Sequence, residues 1–188
     1  MAAYDLVTLD EVKDFYGKFG STSQDDDLLE DIITRISTLI ESYINKNIKS
    51  RKYTEYYDGI GVSNLVTNQS PIISVDSIYS DTTWVWPSDS TIGVDDYRIH
   101  ENKTHVVFLT TLSKGSQNIK IIYTAGYDTV PEDIKQACIT EVVRTHKNRQ
   151  EVDVLSKTLS DGSVTYSAKE LLLQTKMILN KYKRIGVV

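Results

Sequence analysis

The pattern of apolar positions is strongest near the start of the chain. Between residues 25 and 47, apolar side chains recur at spacings of three and four, and the charged residues lie mostly outside this stripe. That period is typical of a helix with one buried face. A shorter helix is predicted over residues 8–17, because Thr8 and Glu11 have the spacing of a capping box. The long stripe consists of Leu28, Leu29, Ile32, Ile33, Ile36, Leu39, Ile40, Tyr43 and Ile44.

The C-terminal part of the chain predicts two further helices. The first covers residues 131–149, where Pro131 suits the opening turn because its missing N–H needs no partner there. The last covers residues 168–183, which carry another apolar stripe. Residues 150–167 between them are rich in Ser, Thr, Asp and Gly. They predict a long connection without regular structure, of the kind that is often functional.

Between residues 52 and 124 the pattern changes to short runs of β-branched and aromatic residues. Asp58-Gly59 and Gly61 mark a hairpin turn, and turns between short strands favour an antiparallel meander. The predicted fold class is therefore α+β: a bundle of about four helices with an inserted antiparallel β region over about residues 52–124. The predicted strands are 53–57, 64–67, 72–79, 97–99, 105–109 and 118–123.

The junction between the last predicted strand and the third helix is the most informative segment. Gly126 supplies a turn in which a positive φ costs little. Thr129 stands three residues before Glu132, again as in a capping box. None of these side chains is placed for chemistry, so the segment indicates an architectural role.

Length and composition are those of an ordinary globular protein. The 188 residues fit one domain, and no apolar run approaches the roughly 18–20 residues of a membrane span. The N-terminus has no secretory pattern, and the single cysteine excludes an internal disulfide framework. We therefore expect that the protein is made and assembled in a cytoplasm.

Charge is distributed unevenly along the chain. The first 50 residues carry 10 acidic and 5 basic side chains, whereas residues 131–188 carry 7 acidic and 10 basic ones. One interpretation is that acids gather in first helical turns and bases in last turns, where they complement helix dipoles. The alternative is that opposite patches meet between neighbouring subunits.

Motifs for catalysis, cofactors or metals are missing from the sequence. His100, His105 and His146 do not have a metal-binding spacing, although the first two could meet across a hairpin. Cys138 is expected in the core. The run Asp25-Asp26-Asp27 is interpreted as helix caps and complements of the helix dipole rather than as a metal cluster. The sequence thus predicts no catalytic residue, no cofactor and no metal, and hence no enzyme.

Several segments, taken in order, resemble the head–tail connector (adaptor, or head-completion) proteins of tailed bacteriophages. They cover nearly the whole chain, and only residues 80–96 depart from a compact version of the family. The segments are Leu6-Val-Thr-Leu-Asp-Glu-Val-Lys13, Leu28 to Ile48, Tyr53-Thr-Glu-Tyr-Tyr-Asp-Gly59, Pro71-Ile-Ile-Ser-Val-Asp-Ser-Ile78, Tyr123-Thr-Ala-Gly-Tyr127, Val130-Pro-Glu-Asp-Ile-Lys-Gln-Ala137 and Leu159-Ser-Asp-Gly-Ser-Val-Thr-Tyr166.

The resemblance implies a structural virion protein built as a single connector domain over residues 1–188. It implies a ring of about a dozen subunits at the head–tail interface. The ring would join the portal protein to a tail or stopper protein and extend the DNA channel without sequence-specific DNA binding. The alternative is a nucleic-acid-binding or DNA-packaging accessory protein, although a net charge of −5 opposes attraction to phosphate.

Within this interpretation, two segments are expected to contact partners. Residues 150–167 and 184–188 have few core-forming side chains and could order on binding. The predicted contact residues are Ser160, Asp161, Gly162, Tyr166, Arg184, Ile185, Val187 and Val188.

Overall fold

The computed structural model describes residues 3–16, 25–148, 156–159, 162–165 and 171–183. The chain forms two compact units, Met1–Lys46 with Val130–Val188, and Asn47–Thr129. The α-helices of the described residues belong to the first unit, and the second contains two three-stranded antiparallel sheets. The predicted α+β class is confirmed, while the assignment of residues 1–188 to a single connector domain stays a prediction. The helices are α1 (Leu9–Tyr16), α2 (Asp26–Ile44), α3 (Glu132–Asn148) and α4 (Leu173–Leu179).

Helix α3 is the centre of the helical unit, since α1, α2 and α4 all pack against it. Its inward side buries Ile134, Ala137, Cys138 and Val142, as the pattern predicts. Most of the α2 stripe is buried too, but Leu28 and Tyr43 are half-buried and Leu39 is 41% exposed. The buried α2 residues are Leu29, Ile32, Ile33, Ile36, Ile40 and Ile44.

The start of α1 is fixed by the predicted capping box. The Thr8 N–H donates to Glu11 Oε2 at 2.7 Å, and the Glu11 N–H donates to Thr8 Oγ1 at 3.2 Å. The aspartate run before α2 behaves differently from the expected cap. Asp25 occupies the N-cap position without a side-chain cap hydrogen bond, and Asp26 pairs with Lys13 at 2.7 Å. These acids therefore act through charge at the positive helix end rather than through side-chain capping.

Helices α2 and α4 are shorter than predicted. Helix α2 ends at Ile44 because Asn45 takes a left-handed conformation, with φ of 54°. Helix α4 begins only after Leu172, whose backbone is extended with ψ of 148°. After Leu179 the Tyr182 N–H donates to the Leu179 carbonyl, a tighter three-residue turn that closes the helix. Of the predicted span 168–183, residues 168–170 lie outside the described residues.

In the β unit all six predicted strands occur, and the last is longer at both ends. One sheet has the order β1-β6-β3 and the other β2-β5-β4. The central strand of the first sheet buries Ile119, Ile121, Tyr123 and Ala125 on its inner face. The strands are β1 (Arg51–Gly59), β2 (Asn64–Val66), β3 (Ile72–Ser80), β4 (Tyr97–Ile99), β5 (His105–Phe108) and β6 (Gly115–Ala125).

The predicted meander and the hairpin turn at Asp58-Gly59 are wrong. Strand β1 pairs with β6 and β2 pairs with β5, so residues 60–63 connect two different sheets. Gly59 is needed for a close approach rather than for a turn, because a Cβ atom there would lie 1.8 Å from the Ser113 carbonyl oxygen. Long-range pairing of this kind leaves no local signal in the sequence.

Part of the segment that was expected to be an irregular connection forms a hairpin. Strands β7 (Ser156–Leu159) and β8 (Gly162–Thr165) pair antiparallel. The two strands are separated by two residues, a common hairpin spacing, and they contain the β-branched residues Thr158, Val164 and Thr165. The prediction of an irregular loop over residues 150–167 is therefore wrong for these eight residues.

At the strand-to-helix junction the turn at Gly126 agrees with its prediction, while the Thr129–Glu132 capping box stays a prediction. Gly126 has φ of +120°, and a Cβ atom there would lie 2.7 Å from the Lys49 carbonyl oxygen. Its N–H donates to the Pro71 carbonyl at 2.9 Å, which ties the end of β6 to the start of β3. No helix among the described residues is long and apolar enough to cross a membrane.

Candidate assembly surfaces

Most residues predicted to contact partners lie outside the described part of the chain. This holds for Ser160, Asp161, Tyr166 and the tail residues Arg184, Ile185, Val187 and Val188. Gly162 is described: it begins β8 and pairs with Leu159. Their role in partner contacts stays a prediction.

The base of this C-terminal region is anchored by a buried carboxylate. Glu141 on α3 has a side chain that is 0% exposed, and its Oε2 accepts from Arg144 Nε at 2.8 Å and lies 2.7 Å from Nη2. Its Oε1 accepts the Leu172 N–H at 2.7 Å, directly before α4. A buried charge is tolerated only when it is paired and hydrogen-bonded. The three groups, here called the Glu141 anchor, thus fix where α4 begins.

Tyrosines hold the end of α4 in place. The Tyr182 hydroxyl donates to Asp133 Oδ1 at 2.8 Å, and the Tyr43 hydroxyl donates to Asn180 Oδ1 at 2.9 Å. Lys183 Nζ lies 4.7 Å from the centre of the Tyr43 ring. Helix α4 is therefore tied to both α2 and α3, and its outer face is presented in a defined orientation.

That outer face of α4 is apolar, and the segment that carries it is basic. Leu173 and Met177, four residues apart on one face, are 76% and 65% exposed. Residues 171–183 contain three lysines (Lys176, Lys181 and Lys183) and no acidic residue. Exposed apolar side chains with a charged border are typical of a protein-binding surface.

A second exposed surface is the tryptophan loop, residues 81–86. Trp84 is 61% exposed and Val85 is 74% exposed. Trp84 and Trp86 have φ of 59° and 58°, a left-handed conformation that costs an L-residue about 1–2 kcal/mol. Such strained residues persist only where surrounding contacts hold them, and they concentrate at functional sites.

The Asp81 carboxylate supplies those contacts. It accepts the Thr83 N–H at 2.8 Å, the Val85 N–H at 3.0 Å, the Trp86 N–H at 2.8 Å and the Thr83 hydroxyl. The hydrogen bonds from the Thr83 and Trp86 N–H groups lower the pKa of Asp81, because they favour the charged form. The loop is therefore a built structure that holds two apolar side chains in solvent.

The tryptophan loop is also fixed to the outer face of the first sheet. The Trp86 ring lies 5.6 Å from the Tyr56 ring, and Lys120 Nζ lies 5.7 Å from the centre of the Trp86 ring. Trp84 Nε1 donates to the Ser116 carbonyl at 3.2 Å. Trp and Tyr are enriched at the centres of protein interfaces.

The sequence around the tryptophan loop is strongly acidic, although Lys120 of β6 lies against the Trp86 ring. Residues 53–97 contain seven acidic residues and no Lys, Arg or His. This absence is unusual for a stretch of 45 residues in a protein whose residues are 25% charged. It makes the region around the loop unsuited to phosphate binding and suited to a basic protein surface.

On its inner face, the β unit is held by a tyrosine network around Glu55. Its Oε2 accepts from the hydroxyls of Tyr57 and Tyr123, the latter at 2.7 Å. The Tyr123 oxygen accepts the Gln69 N–H at 3.1 Å. Burial and the nearby Glu55 carboxylate raise the pKa of Tyr123 well above its ordinary value. This network positions the connection between β2 and β3 over the first sheet.

The cysteine and the histidines that were considered for catalysis or metal binding lie in environments that suit a structural role. Cys138 is buried as predicted, and burial raises the pKa of its thiol to about 12, so it is not a nucleophile at neutral pH. His100 and His105 do meet across the β4–β5 turn, with ring centroids 4.2 Å apart. Burial and the neighbouring His100 ring lower the pKa of His105. Among the described residues, no group of three or more His, Cys, Asp or Glu side chains could hold a metal ion.

Sequence reasoning missed both exposed surfaces as sites. It marked residues 80–96 only as a departure from a compact version of the family. The available signal was Trp84-Val85-Trp86, a run of large apolar residues inside a segment with five aspartates and no base between residues 76 and 96.

A protein-family comparison matches residues 5–185 to the family described as "Head completion protein". The chain therefore belongs to the head completion protein family, as its resemblance predicted. A search of curated proteins gave no match.

Three of the solved structures that resemble this chain come from gene transfer agent (GTA) particles. A chain from the neck of an empty GTA particle, computed with C6 symmetry, has a TM-score of 0.67 at 15% identity and covers 100% of this chain and 95% of that one. A chain from the neck of a native particle, computed with C12 symmetry, has 0.64 at 14%, with coverages of 100% and 95%. A chain from the virion of the native particle has 0.64 at 13%, with coverages of 100% and 94%.

Proposed function

We propose that this chain is a structural virion protein of the head–tail junction. It forms a ring of about a dozen copies that joins the portal to a tail or stopper protein and extends the DNA channel. The observation that carries the proposal is the family match over residues 5–185, nearly the whole chain. No catalytic step is part of this function.

The proposed ring draws support from the similar folds and from the surfaces of the chain. The similar solved structures are described as necks computed with C6 and C12 symmetry. A closed ring needs two different complementary surfaces on each copy, because each subunit contacts its neighbours head to tail. This chain has an acidic aromatic surface in its β unit and a basic apolar one on α4.

The charge distribution supports passage of DNA without binding. Residues 53–97 carry no cation, and acidic surface repels phosphate. In this proposal the subunits do not read DNA sequence. The tail residues 184–188 and the segment 150–167, including Ser160, Asp161, Gly162 and Tyr166, contact the portal or the next component.

Binding to the purified cognate portal tests the proposal. The chain should bind portal assemblies in sedimentation, and removal of Ile185 to Val188 should weaken binding while the far-UV circular dichroism stays unchanged. A second variant carries Ser-Gly-Ser-Ser at the same four positions, which keeps the length of the chain but removes the apolar side chains. It should bind as weakly as the deletion. Unchanged binding by both variants would remove the tail from the proposal.

A DNA-binding measurement distinguishes the proposed connector from a nucleic-acid-binding accessory protein. A nucleic-acid-binding accessory protein would bind duplex DNA with an affinity that falls steeply with salt. A connector ring should show little salt-dependent affinity and should bind the portal instead. Tight DNA binding without portal binding would contradict the proposed function.

A further inference from the structure

The tryptophan loop has the properties of one half of a protein interface. Trp84 and Val85 are exposed, yet Asp81 and the Ser116 carbonyl hold the loop in one shape. A rigid exposed tryptophan loses little conformational freedom on binding, which favours a central role in an interface. Residues 53–97, which include the loop, contain seven acidic residues and no base, and Lys120 of β6 is a cation that lies against Trp86.

The outer face of α4 has the opposite character. It presents Leu173 and Met177 to solvent within a stretch that contains lysines and no acid. A methionine thioether packs well against an aromatic ring. Acidic aromatic and basic aliphatic surfaces are complementary in charge and in the chemistry of their apolar groups.

We propose that the tryptophan loop of one copy docks on the outer face of α4 of a second copy. This inference rests on the proposed ring and names the surfaces that build it. The two surfaces differ and come from different parts of the chain, so each copy uses its loop on one neighbour and its α4 on the other. A contact of this heterologous kind closes into a ring or continues as a filament, and it does not stop at a two-fold dimer.

The charge difference selects the pairing. Loop against loop would bring acidic surfaces together, and α4 against α4 would bring lysines together, and both like-charge pairings are unfavourable. Only the mixed contact joins opposite charges. Lys181, exposed near the end of α4, is a basic side chain available for the border of that contact.

Truncation of either surface tests the contact. Trp84→Ala and the double variant Leu173→Ala/Met177→Ala should each weaken self-association at least about tenfold, as expected for an interface hot spot, measured by sedimentation velocity with and without purified portal. The control is Leu109→Ala, because Leu109 is 76% exposed like Leu173 but belongs to neither surface. Unchanged circular dichroism and Trp86 fluorescence verify folding.

Mixing the two variants gives the sharper test. The Trp84→Ala chain keeps an intact α4, and the Leu173→Ala/Met177→Ala chain keeps an intact loop, so one good contact remains between them. The mixture should form one-to-one dimers that do not grow, while each variant alone stays monomeric. A mixture that stays monomeric, or a loop variant that associates like wild type, would overturn the inference.

The outcomes also separate this inference from the proposed function. If the wild type and both variants all form rings, the docking contact is overturned, while the proposed ring is supported. Loss of portal binding by Trp84→Ala with normal self-association would assign the loop to the portal and overturn docking on α4. A wild-type chain that neither self-associates nor binds portal would overturn both proposals.

Discussion

Removal of the Arg144 guanidinium tests how α4 is held on the helical unit. The Glu141 carboxylate is 0% exposed and depends on Arg144 and on the Leu172 N–H, at distances of 2.7–2.8 Å. Taking away one partner of a buried ion pair costs about 3–5 kcal/mol, because a charge is left without compensation. Arg144 is 22% exposed, so water reaches it and the lower end applies. We expect Arg144→Met to lower the free energy of unfolding by about 3 kcal/mol.

A second substitution should reverse part of this loss. Glu141→Gln in the Arg144→Met background removes the buried charge but keeps an oxygen that can accept the Leu172 N–H. The double variant should therefore be more stable than the single variant by about 1–2 kcal/mol. A restoring effect of this sign is specific to an unpaired buried charge and is not expected from lost packing alone.

Urea unfolding measures both effects. Circular dichroism at 222 nm reports the helices, whereas the fluorescence of Trp84 and Trp86 reports the β unit. The control Arg35→Met removes an exposed arginine on α2 and should change stability by less than about 0.5 kcal/mol. The reasoning fails if Arg144→Met behaves like this control, or if the double variant is less stable than the single one.

Three further results are expected. Tyr123→Phe should lower the free energy of unfolding by about 1–3 kcal/mol, because Glu55 loses a buried donor. Since the folded-state pKa of Tyr123 is raised, its contribution to the free energy of unfolding is fully present below the ordinary tyrosine pKa and declines in alkali. In an ultraviolet titration Tyr123 should therefore ionise only when the protein unfolds. The pKa of Asp81 is lowered in the folded state, so its stabilising effect has the opposite pH dependence: the loop should stay ordered above the ordinary aspartate pKa and lose its order in stronger acid. The loss should change the fluorescence of Trp84, and Asp81→Ala should produce the same change at neutral pH. Cys138 should resist a thiol reagent in the folded protein and react in urea, and fast reaction without denaturant would contradict its buried, high-pKa state.

Local patterns predicted the elements well. The three-and-four spacing of α2, the Thr8–Glu11 capping box and Gly126 each depend on residues close together in sequence, and the structure confirms all three. The resemblance to head-completion proteins also depended on ordered local segments. The family match confirms it.

Long-range pairing was not predictable in the same way. The placement of β6 between β1 and β3 joins residues that lie about 60 positions apart, such as Glu55 and Ile121. The Glu141 anchor likewise joins α3 to Leu172, and nothing near Glu141 in the sequence marks it as buried. The length of α4 followed from that anchor, so a helix predicted from periodicity alone came out too long.

The tryptophan loop shows a different limit. The run Trp84-Val85-Trp86 is visible in the sequence, but the sequence does not show whether a tryptophan is exposed or buried. Only the left-handed backbone and the four groups that donate to Asp81 show that the loop holds its apolar side chains outward. A candidate surface became recognisable once exposure, strain and hydrogen bonding were known together.

The symmetry of the assembly that this chain forms on a purified portal tests the central claim most directly. Class averages from electron microscopy of the mixed proteins should show an added ring coaxial with the portal, with a rotational symmetry of about twelve and an open central channel. Native mass measurement should give the same subunit number. Portal particles without an added ring, at concentrations of the chain that saturate binding, would contradict the account.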